Sequence, residues 1–419
     1  MIHKHSATQL LTEAEFKNRS SLAIRRGLPL WLWHDVATEA WQSALDSIER
    51  MIRQILASGQ ALGPLKGDAN AIGIAAYTSG LGPLLGYWCS QGLLSASETT
   101  SDILARHFQE NSLRMETLTA RCIEVLARMD ENGIDVTVLK GMHTAFECFP
   151  TPGTRPMSDI DLLIAPSDKL AAQRVLRGLG YSPEQETKLP DEQLWRHSSS
   201  ALTPKSLAFV HRDDPWGIDL HTSTNRRYAQ GAPIIPLDEL ISQSTTHCWR
   251  PGCHASAIAA VPTVLFLACH AGCPVGNLRM LRLVELVLFI RKAQRLEAFG
   301  WDEFLEFGER TATLPYAYAA LHIACSLARD IVPEDVLQRS RRNVPPLALK
   351  LIADLTPSTA HAITRCSVKE RFMWTPTLRG KIQQIAHDCV PTELPRAMIF
   401  PAIRRRIWRL FRGTFSLGL

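Results

Sequence analysis

The hydrophobic positions in the middle of the chain change from a helical to an extended period near Gly133. Apolar side chains recur at helical spacing over Glu98–Glu131, after Ser95 or Ser97, either of which is a favourable N-cap. Gly133 suits the end of this helix because glycine adopts the left-handed conformation without a steric cost. The run Ile134–Leu139 is apolar and β-branched. The pattern therefore predicts a long helix that leads directly into a strand.

The next segment repeats this alternation on a shorter scale. Met142–Phe149 has helical composition, and Ser158–Ile164 has the composition of a second strand. Pro166–Leu179 then predicts a helix, with Ser167 as its N-cap. The order strand, helix, strand and helix is typical of an α/β unit.

Patterning is weaker between residues 183 and 222. Pro183–Pro204 is polar and predicts a loop with a short helix, which is either a lid or a surface loop. Ser206–His211 and Gly217–Thr222 predict the two strands of a hairpin. Helical spacing returns after Tyr228 and predicts four helices, over Pro262–Gly272, Leu278–Leu296, Asp302–Ala312 and Tyr316–Ala328.

The two ends of the chain have different characters. Leu22–Leu94 is rich in Ala, Leu and Trp and predicts two or three packing helices, with a contribution to substrate binding as the alternative. The tail Pro395–Leu419 is basic and amphipathic. It either packs on the helical region, contacts an anionic membrane surface, or binds an acidic partner.

Composition restricts the class of protein. The chain has 419 residues, 46% hydrophobic and 21% charged, which is ordinary for a globular protein of two or three domains or one large elaborated domain. A net charge of +5 is too mild to argue for nucleic-acid binding. The N-terminus has no apolar signal segment, and the 10 cysteines form no framework of spacings, so we expect a cytoplasmic protein with reduced thiols.

The strongest chemical signal is the Asp-x-Asp of the second predicted strand. Side chains alternate between the two faces of a strand, so Asp159 and Asp161 share one face. Two adjacent carboxylates repel each other, and a hard divalent cation that is shared with phosphate oxygens would compensate that repulsion. A solvated strand end is the alternative, because this short motif is common by chance. Asp219 and His221 share a face of a later strand in the same way.

An ordered set of short motifs resembles the nucleotidyltransferase superfamily that includes polymerase β, and within it a group of uncharacterised bacterial nucleotidyltransferases. The resemblance extends roughly from Ser112 to Leu337. Lys140-Gly141 stands where many members of the superfamily have Gly-Ser. The residues that carry the resemblance are Leu139-Lys140-Gly141, Arg155, Asp159-Ile160-Asp161-Leu162-Leu163, Gly180-Tyr181 and Ile218-Asp219-Leu220-His221.

The resemblance implies an α+β fold, in which a small mixed sheet with flanking helices carries large helical additions at both ends. We expect a helical region over residues 1–110 and a nucleotidyltransferase core over 111–228. We also expect a helical domain packed on the site over 229–340, and a helical region with the basic tail over 341–419.

The resemblance also implies the chemistry. It predicts transfer of a nucleoside monophosphate from a nucleoside triphosphate such as ATP to a hydroxyl acceptor, a small molecule or a peptide, with Mg²⁺ or Mn²⁺. Asp159, Asp161 and Asp219 are the expected catalytic metal ligands. The residues expected to contact the nucleotide are Lys140, Gly141, Arg155, Ser158 and His221.

Two other classes of function remain open from the sequence. The chain could be a nucleotide-binding or accessory module that kept the fold and lost the chemistry. A nucleic-acid 3′-end transferase is the second alternative, against which the modest charge argues. His270 is interpreted as a core histidine, with a contact to nucleotide or acceptor as the alternative. Arg279, Arg282 and Glu285 either shape a pocket or form an ion pair.

Overall fold

The N-terminal part of the chain is helical. A computed structural model describes residues 36–389 except 185–190, 201–214, 228–233, 243–246, 251, 274, 363–371 and 376, together with positions 14 and 18. The helices that lead up to the sheet are α1 (Thr38–Ser58), α2 (Ala69–Ser79), α3 (Gly82–Ser90) and α4 (Glu98–Asp130). Ser97 caps α4 by accepting a hydrogen bond from the Thr100 amide, and Gly133 takes a φ of 67°, so the predicted helix and its ends are confirmed.

A mixed sheet of seven strands forms the centre of the α+β fold. The strands of the chain are β1 (Thr137–Val138), β2 (Asp159–Leu163), β3 (Tyr181–Pro183), β4 (Glu192–His197), β5 (Gly217–His221), β6 (Arg226–Arg227), β7 (Ile234–Ile235), β8 (His247–Cys248) and β9 (Ser256–Ala257). The spatial order of the large sheet is β3-β4-β5-β2-β1-β9-β8, and β6 pairs with β7 separately. The expected small mixed sheet is thus confirmed.

Strands β2 and β5 lie side by side at the middle of this sheet. They run parallel, with Asp161 opposite Asp219, and β1 pairs antiparallel to the other edge of β2. On one face, Ile160 and Leu162 of β2 are fully buried, and the apolar residues of β5 join the same core. The alternation along each strand therefore turns the carboxylates of both strands to the opposite face.

The remaining helices lie between and after the strands. They are α5 (Lys140–Glu147), α6 (Lys169–Gly178), α7 (Leu237–Ser242), α8 (Ala260–Gly272), α9 (Met280–Arg295), α10 (Trp301–Arg310), α11 (Leu314–Leu327), α12 (Glu334–Arg341), α13 (Pro346–Ile352), α14 (Pro357–Ala362) and α15 (Leu378–Cys389). The four helices that the spacing predicts after Tyr228 correspond to α8, α9, α10 and α11. Among the described residues, no helix is both long and apolar enough to cross a bilayer.

Two elements between residues 183 and 222 differ from the prediction. The segment expected to be a loop contains β4, which pairs with β3 on one side and with β5 on the other. Because β5 has β2 and β4 as its two neighbours, the predicted hairpin of Ser206–His211 with β5 is wrong. Residues 206–211 themselves lie outside the described residues, as does the tail 395–419.

Two local predictions at the ends of elements are also corrected. Strand β1 spans only Thr137–Val138 of the predicted first strand. Ser167 does not cap a helix, because Pro166–Asp168 forms a 3₁₀ turn and α6 begins at Lys169 without a side-chain cap. The proline ring fixes φ and favours this tight turn.

The described residues form two hydrophobic cores. One lies under the sheet and contains apolar residues of α4, α5, α6 and the strands. The other joins α1, α2 and α3 to α8–α14, so helices from both ends of the chain share one interior. Glu49 of α1 accepts a hydrogen bond of 2.9 Å from the Ser358 amide, 309 residues away. The predicted domain limits at residues 110, 228 and 340 remain a prediction.

Candidate active site

Asp161 and Asp219 meet on the face of the sheet opposite the apolar core. They occupy neighbouring positions of parallel strands and are 4% and 7% exposed. Burying two carboxylates side by side is unfavourable unless cations or hydrogen-bond donors compensate their charge. Their closeness is the arrangement that the family resemblance implies for Asp161 and Asp219.

Two cationic groups contact this pair. Lys140 Nζ donates a hydrogen bond of 2.6 Å to Asp161 Oδ1. His221 Nε2 lies 3.0 Å from the same oxygen and 3.4 Å from Asp219 Oδ2. Although burial lowers it, the hydrogen bonds to these carboxylates raise the pKa of His221 to about 9. Burial acts to raise the pKa of Asp161, but Lys140 and His221 hold it well below its usual range.

Asp159 lies on the same face of β2, two residues before Asp161, and is half-buried. Burial, followed by the negative charge of Asp161, raises the pKa of Asp159, and Lys140 opposes that shift. Ser158 is exposed, and its hydroxyl donates to Asp159 Oδ1 over 3.3 Å. Asp159 therefore extends the carboxylate cluster toward solvent.

A fourth carboxylate, Glu192, completes the cluster and was not found by sequence reasoning. It lies at the start of β4, opposite His221 in the register with β5. Burial, and then Asp219, raises the pKa of Glu192. The only signal in the sequence is a polar segment without clear periodicity, so the pairing of β4 with β5 is what identifies this residue.

A second buried ion pair stands beside the carboxylates. Arg155 donates from Nε and Nη2 to the two carboxylate oxygens of Glu285, over 2.9 and 3.0 Å. Thr144 donates to the same carboxylate through its hydroxyl. A Cβ at Gly141 would lie 2.5 Å from Arg155 Nη1, so glycine at this position leaves the space that the guanidinium occupies.

These groups surround one cavity of about 420 Å³, which is large enough for a nucleotide-sized ligand. The four carboxylates and Lys140 form one part of its lining, the carboxylate wall. Basic side chains from two helices and β6 form another part, the basic wall, and Tyr77–Gly80 of the N-terminal region also line the cavity. The basic wall consists of Arg226, His270, Arg279 and Arg282. His221 is not part of the lining but contacts two of the carboxylates.

A divalent metal fits the carboxylate wall. Among the described residues, Asp161, Asp219 and His221 form the group whose potential ligand atoms all lie within 4.8 Å of one another. Asp219 Oδ1 is buried and has no hydrogen-bond partner among the described residues. A buried carboxylate oxygen without a donor is unfavourable, and a metal ion would satisfy it. Oxygen ligands suit Mg²⁺ or Mn²⁺, while an imidazole nitrogen is tolerated better by Mn²⁺.

One comparison with known proteins identifies the family. A family model described as an uncharacterised nucleotidyltransferase matches residues 66–329, more than half of the chain. The chain belongs to this nucleotidyltransferase family. No curated protein and no solved structure matches it. The resemblance that the sequence motifs indicated is therefore confirmed at the level of the family.

The family match begins well before the motifs that indicated it. It includes α2, and the end of this helix together with the following residue, Tyr77–Gly80, lines the cavity. A Cβ at Gly80 would lie 2.9 Å from Leu281 Cδ2 at the start of α9, so the two helical regions meet at the cavity. Apolar periodicity in Leu22–Leu94 predicted packing helices, but it carried no signal for this position at the site.

Proposed function

We propose that this protein is a metal-dependent nucleotidyltransferase that moves a nucleoside monophosphate from a nucleoside triphosphate to a hydroxyl group of a small molecule or a peptide. The observation that supports this proposal most strongly is the convergence of Asp161 and Asp219 from adjacent parallel strands, with Asp159 beside them, in a cavity that also carries cations. A nucleotide donor agrees with a cytoplasmic location.

In this proposal the carboxylate wall holds the reacting phosphate in place. Asp159, Asp161 and Asp219 bind the divalent metal, and His221 keeps two of these carboxylates close together through its hydrogen bonds. When bound, the ion would reduce the negative charge on the α-phosphate and stabilise the oxygen that leaves it. The backbone amides at the start of α5, at Lys140 and Gly141, face a phosphate with the positive end of the helix.

The reaction exchanges one phosphorus–oxygen bond for another. The acceptor oxygen attacks the α-phosphorus, and the bond from that phosphorus to the oxygen that bridges the α- and β-phosphates breaks. Pyrophosphate leaves with the electron pair of that bond. The hydroxyl proton passes to the carboxylate of Asp219, which lines the cavity. Holding donor and acceptor in one cavity supplies orientation, which is a large part of the rate enhancement in phosphoryl transfer.

The test measures transfer of label from the nucleotide. Asp161→Asn and Asp219→Asn remove a ligand charge while they keep the shape of the side chain. We expect each to lower transfer of label from an α-phosphate-labelled triphosphate by at least about 100-fold, because metal and proton transfer both depend on these groups. Asp135→Asn is the matched control, since Asp135 is exposed and borders β1 outside the cavity. Transfer at the wild-type rate by the Asp161→Asn, Asp219→Asn double variant would contradict the proposal.

One observation supports a second candidate, an accessory protein that binds nucleotide without chemistry. Lys140 and His221 both contact Asp161 Oδ1, so two cations already compensate the charge that a metal would otherwise balance. The same preparations distinguish the two functions. Binding of the triphosphate that is independent of Mg²⁺ and Mn²⁺, with no label transfer to any acceptor, would favour the accessory protein.

A further inference from the structure

Positive charge is concentrated after the part of the chain that the family model matches. That match ends at residue 329. Residues 334–419, the basic C-terminal region, contain 15 Lys or Arg and 6 Asp or Glu, whereas the rest of the chain contains 31 basic and 35 acidic residues. The net charge of +5 therefore comes entirely from this region. Such an asymmetry of charge is typical of a region that binds an anionic partner.

Several of these basic side chains are exposed in the described part of the region. Arg341, Arg342, Lys350 and Arg379 all lie at the surface. None of the four makes an ion pair with a described residue, in contrast to Arg339, which binds a glutamate of α10 over 2.7 Å. Within the described part of the chain, no ion pair therefore compensates their charge.

Exposed apolar side chains lie near these basic ones. Leu378 and Ile382 of α15 are 75% and 57% exposed, and their spacing of four residues places them on one face of the helix. Leu347 of α13 is also exposed. Arg342 and Trp374 line one cavity of about 540 Å³, so the segment before α13 and the segment before α15 are neighbours. Basic and apolar groups thus occupy adjoining parts of this region.

The end of the sequence has the same combination of residues. Ile403, Ile407, Leu410 and Phe411 recur at helical spacing, and five arginines lie between and beside them. This pattern is typical of segments that lie in the interface of an anionic bilayer, with apolar side chains at the acyl boundary and basic side chains at the headgroups. The tail and the described part of the region therefore favour the same partner.

We propose that the basic C-terminal region binds the surface of an anionic phospholipid membrane through Leu378, Ile382, the neighbouring basic side chains and the tail. Anionic headgroups attract the excess of Arg and Lys. The exposed apolar side chains enter the acyl boundary, which removes them from water. A nucleic acid would satisfy the charge but would leave these apolar side chains in water, so a lipid surface fits both features. The inference does not depend on the proposed function, because it uses no residue of the candidate active site.

Co-sedimentation of the full chain with phospholipid vesicles tests this surface. We expect binding to vesicles of equal parts phosphatidylcholine and phosphatidylglycerol, and at least about tenfold weaker binding to phosphatidylcholine alone, because only the anionic lipid attracts the basic side chains. Leu378→Gln/Ile382→Gln should weaken binding to the anionic vesicles at least about tenfold, because it removes apolar surface that the membrane buries. Leu62→Gln/Leu170→Gln is the matched control, since these leucines are 78% and 73% exposed but lie outside the region.

A second pair of variants tests the contribution of the tail. Arg405→Gln/Arg406→Gln should weaken binding to the anionic vesicles about tenfold, because each arginine contributes attraction to the headgroups. Arg106→Gln/Arg295→Gln removes the same charge from two exposed positions outside the region and should leave binding unchanged.

Equal binding to the anionic and the neutral vesicles, or binding to neither, would overturn the proposal. Binding to the anionic vesicles that both double variants retain at the wild-type affinity would overturn it as well. Salt-dependent binding of a duplex RNA that Leu378→Gln/Ile382→Gln leaves unchanged, without binding to vesicles, would also contradict it and would assign the region to nucleic acid.

Discussion

Lys140 and Gly141 are neighbours that are restricted in different ways, Lys140 in its backbone conformation and Gly141 in the space for a side chain. Lys140 takes a φ of 39°, which is unusual for a residue with a Cβ, and this conformation accompanies the contact of its ammonium with Asp161. Such local strain is retained where the surrounding contacts fix the residue, and it is frequent at functional sites. Gly141 has an ordinary helical backbone but lacks the space for a side chain. Lys140 therefore holds the backbone in an unusual conformation, and Gly141 leaves room for the guanidinium of Arg155.

We predict that Gly141→Ala destabilises the protein by about 1–3 kcal/mol, the usual cost of overpacking a filled site. The new Cβ would meet Arg155, which cannot withdraw without losing its two hydrogen bonds to Glu285. Gly178→Ala is the control. Gly178 also lies in a helix, but no atom lies within 4 Å of the Cβ that the substitution would add. Chemical unfolding at pH 7.5 measures both variants. An unfolding midpoint of Gly141→Ala equal to that of the wild type would refute the steric argument.

Helix α9 connects the helical region to the sheet. Its Glu285 binds Arg155, which precedes β2, and also binds Thr144 of α5. The same helix places Arg282 at the cavity and buries its apolar residues in the larger core. One ion pair thus fixes the position of the basic wall relative to the carboxylate wall.

We predict that Glu285→Gln lowers the free energy of unfolding by about 3–5 kcal/mol, because it leaves the buried Arg155 charge without a partner. Adding Arg155→Met should recover much of that loss, since an apolar side chain needs no counter-charge. Thermal and urea unfolding of both variants measure the effect. Glu306→Gln, an exposed change on α10, should have almost none. Failure of the double variant to recover stability would show that the ion pair is not the source of the loss.

At the scale of the whole molecule, helices from the two ends of the chain enclose a buried histidine. His361 of α14 is fully buried beside Trp41 of α1, with ring centroids 6.1 Å apart. Neither ring nitrogen has a hydrogen-bond partner among the described residues. Burial, and then the charge of Arg279, lowers the pKa of His361 to about 3. The folded protein therefore keeps this imidazole neutral where the unfolded chain would protonate it.

This difference makes stability depend on pH. At pH above about 6.5 the histidine is neutral in both states and contributes no pH dependence. As the pH falls from 6.5 toward 3, only the unfolded chain binds the proton, so stability decreases by about 2 kcal/mol by pH 5. We predict that His361→Phe reduces the difference in unfolding free energy between pH 7.5 and pH 5 by that amount. His254→Gln, at an exposed site, should leave the difference unchanged. An unaltered pH dependence in His361→Phe would exclude His361 as its cause.

The parts of the fold that the sequence predicts are those set by local patterns. Helix α4 and its cap, the strand with Asp159 and Asp161, and the helices after Tyr228 all follow from spacing and turn residues. Strand β4 was missed because Glu192–His197 is mostly polar and only Trp195 is fully buried, so pairing on both edges stabilises it instead of an amphipathic pattern.

The candidate site also contains residues that local patterns predict and residues that only the structure identifies. Alternation alone places Asp159 and Asp161 on one face of their strand, and Asp219 and His221 on one face of theirs. The side-by-side register of Asp161 and Asp219 required the structure. Glu192, Arg226 and Tyr77–Gly80 reach the cavity through contacts between segments far apart in the chain. A pattern within one segment has no information about such contacts, and the resemblance to a family supplied only the motifs near the carboxylates.

The hydrogen bond from Ser358 to Glu49 has a consequence for biosynthesis. Since a ribosome releases the amino end first, α1 has no contact with α14 until α14 has emerged. The shared interior can therefore close only when nearly the whole polypeptide has left the exit tunnel. Until then the nascent protein offers exposed apolar surface that a chaperone would recognise, and its cavity has only a partial wall.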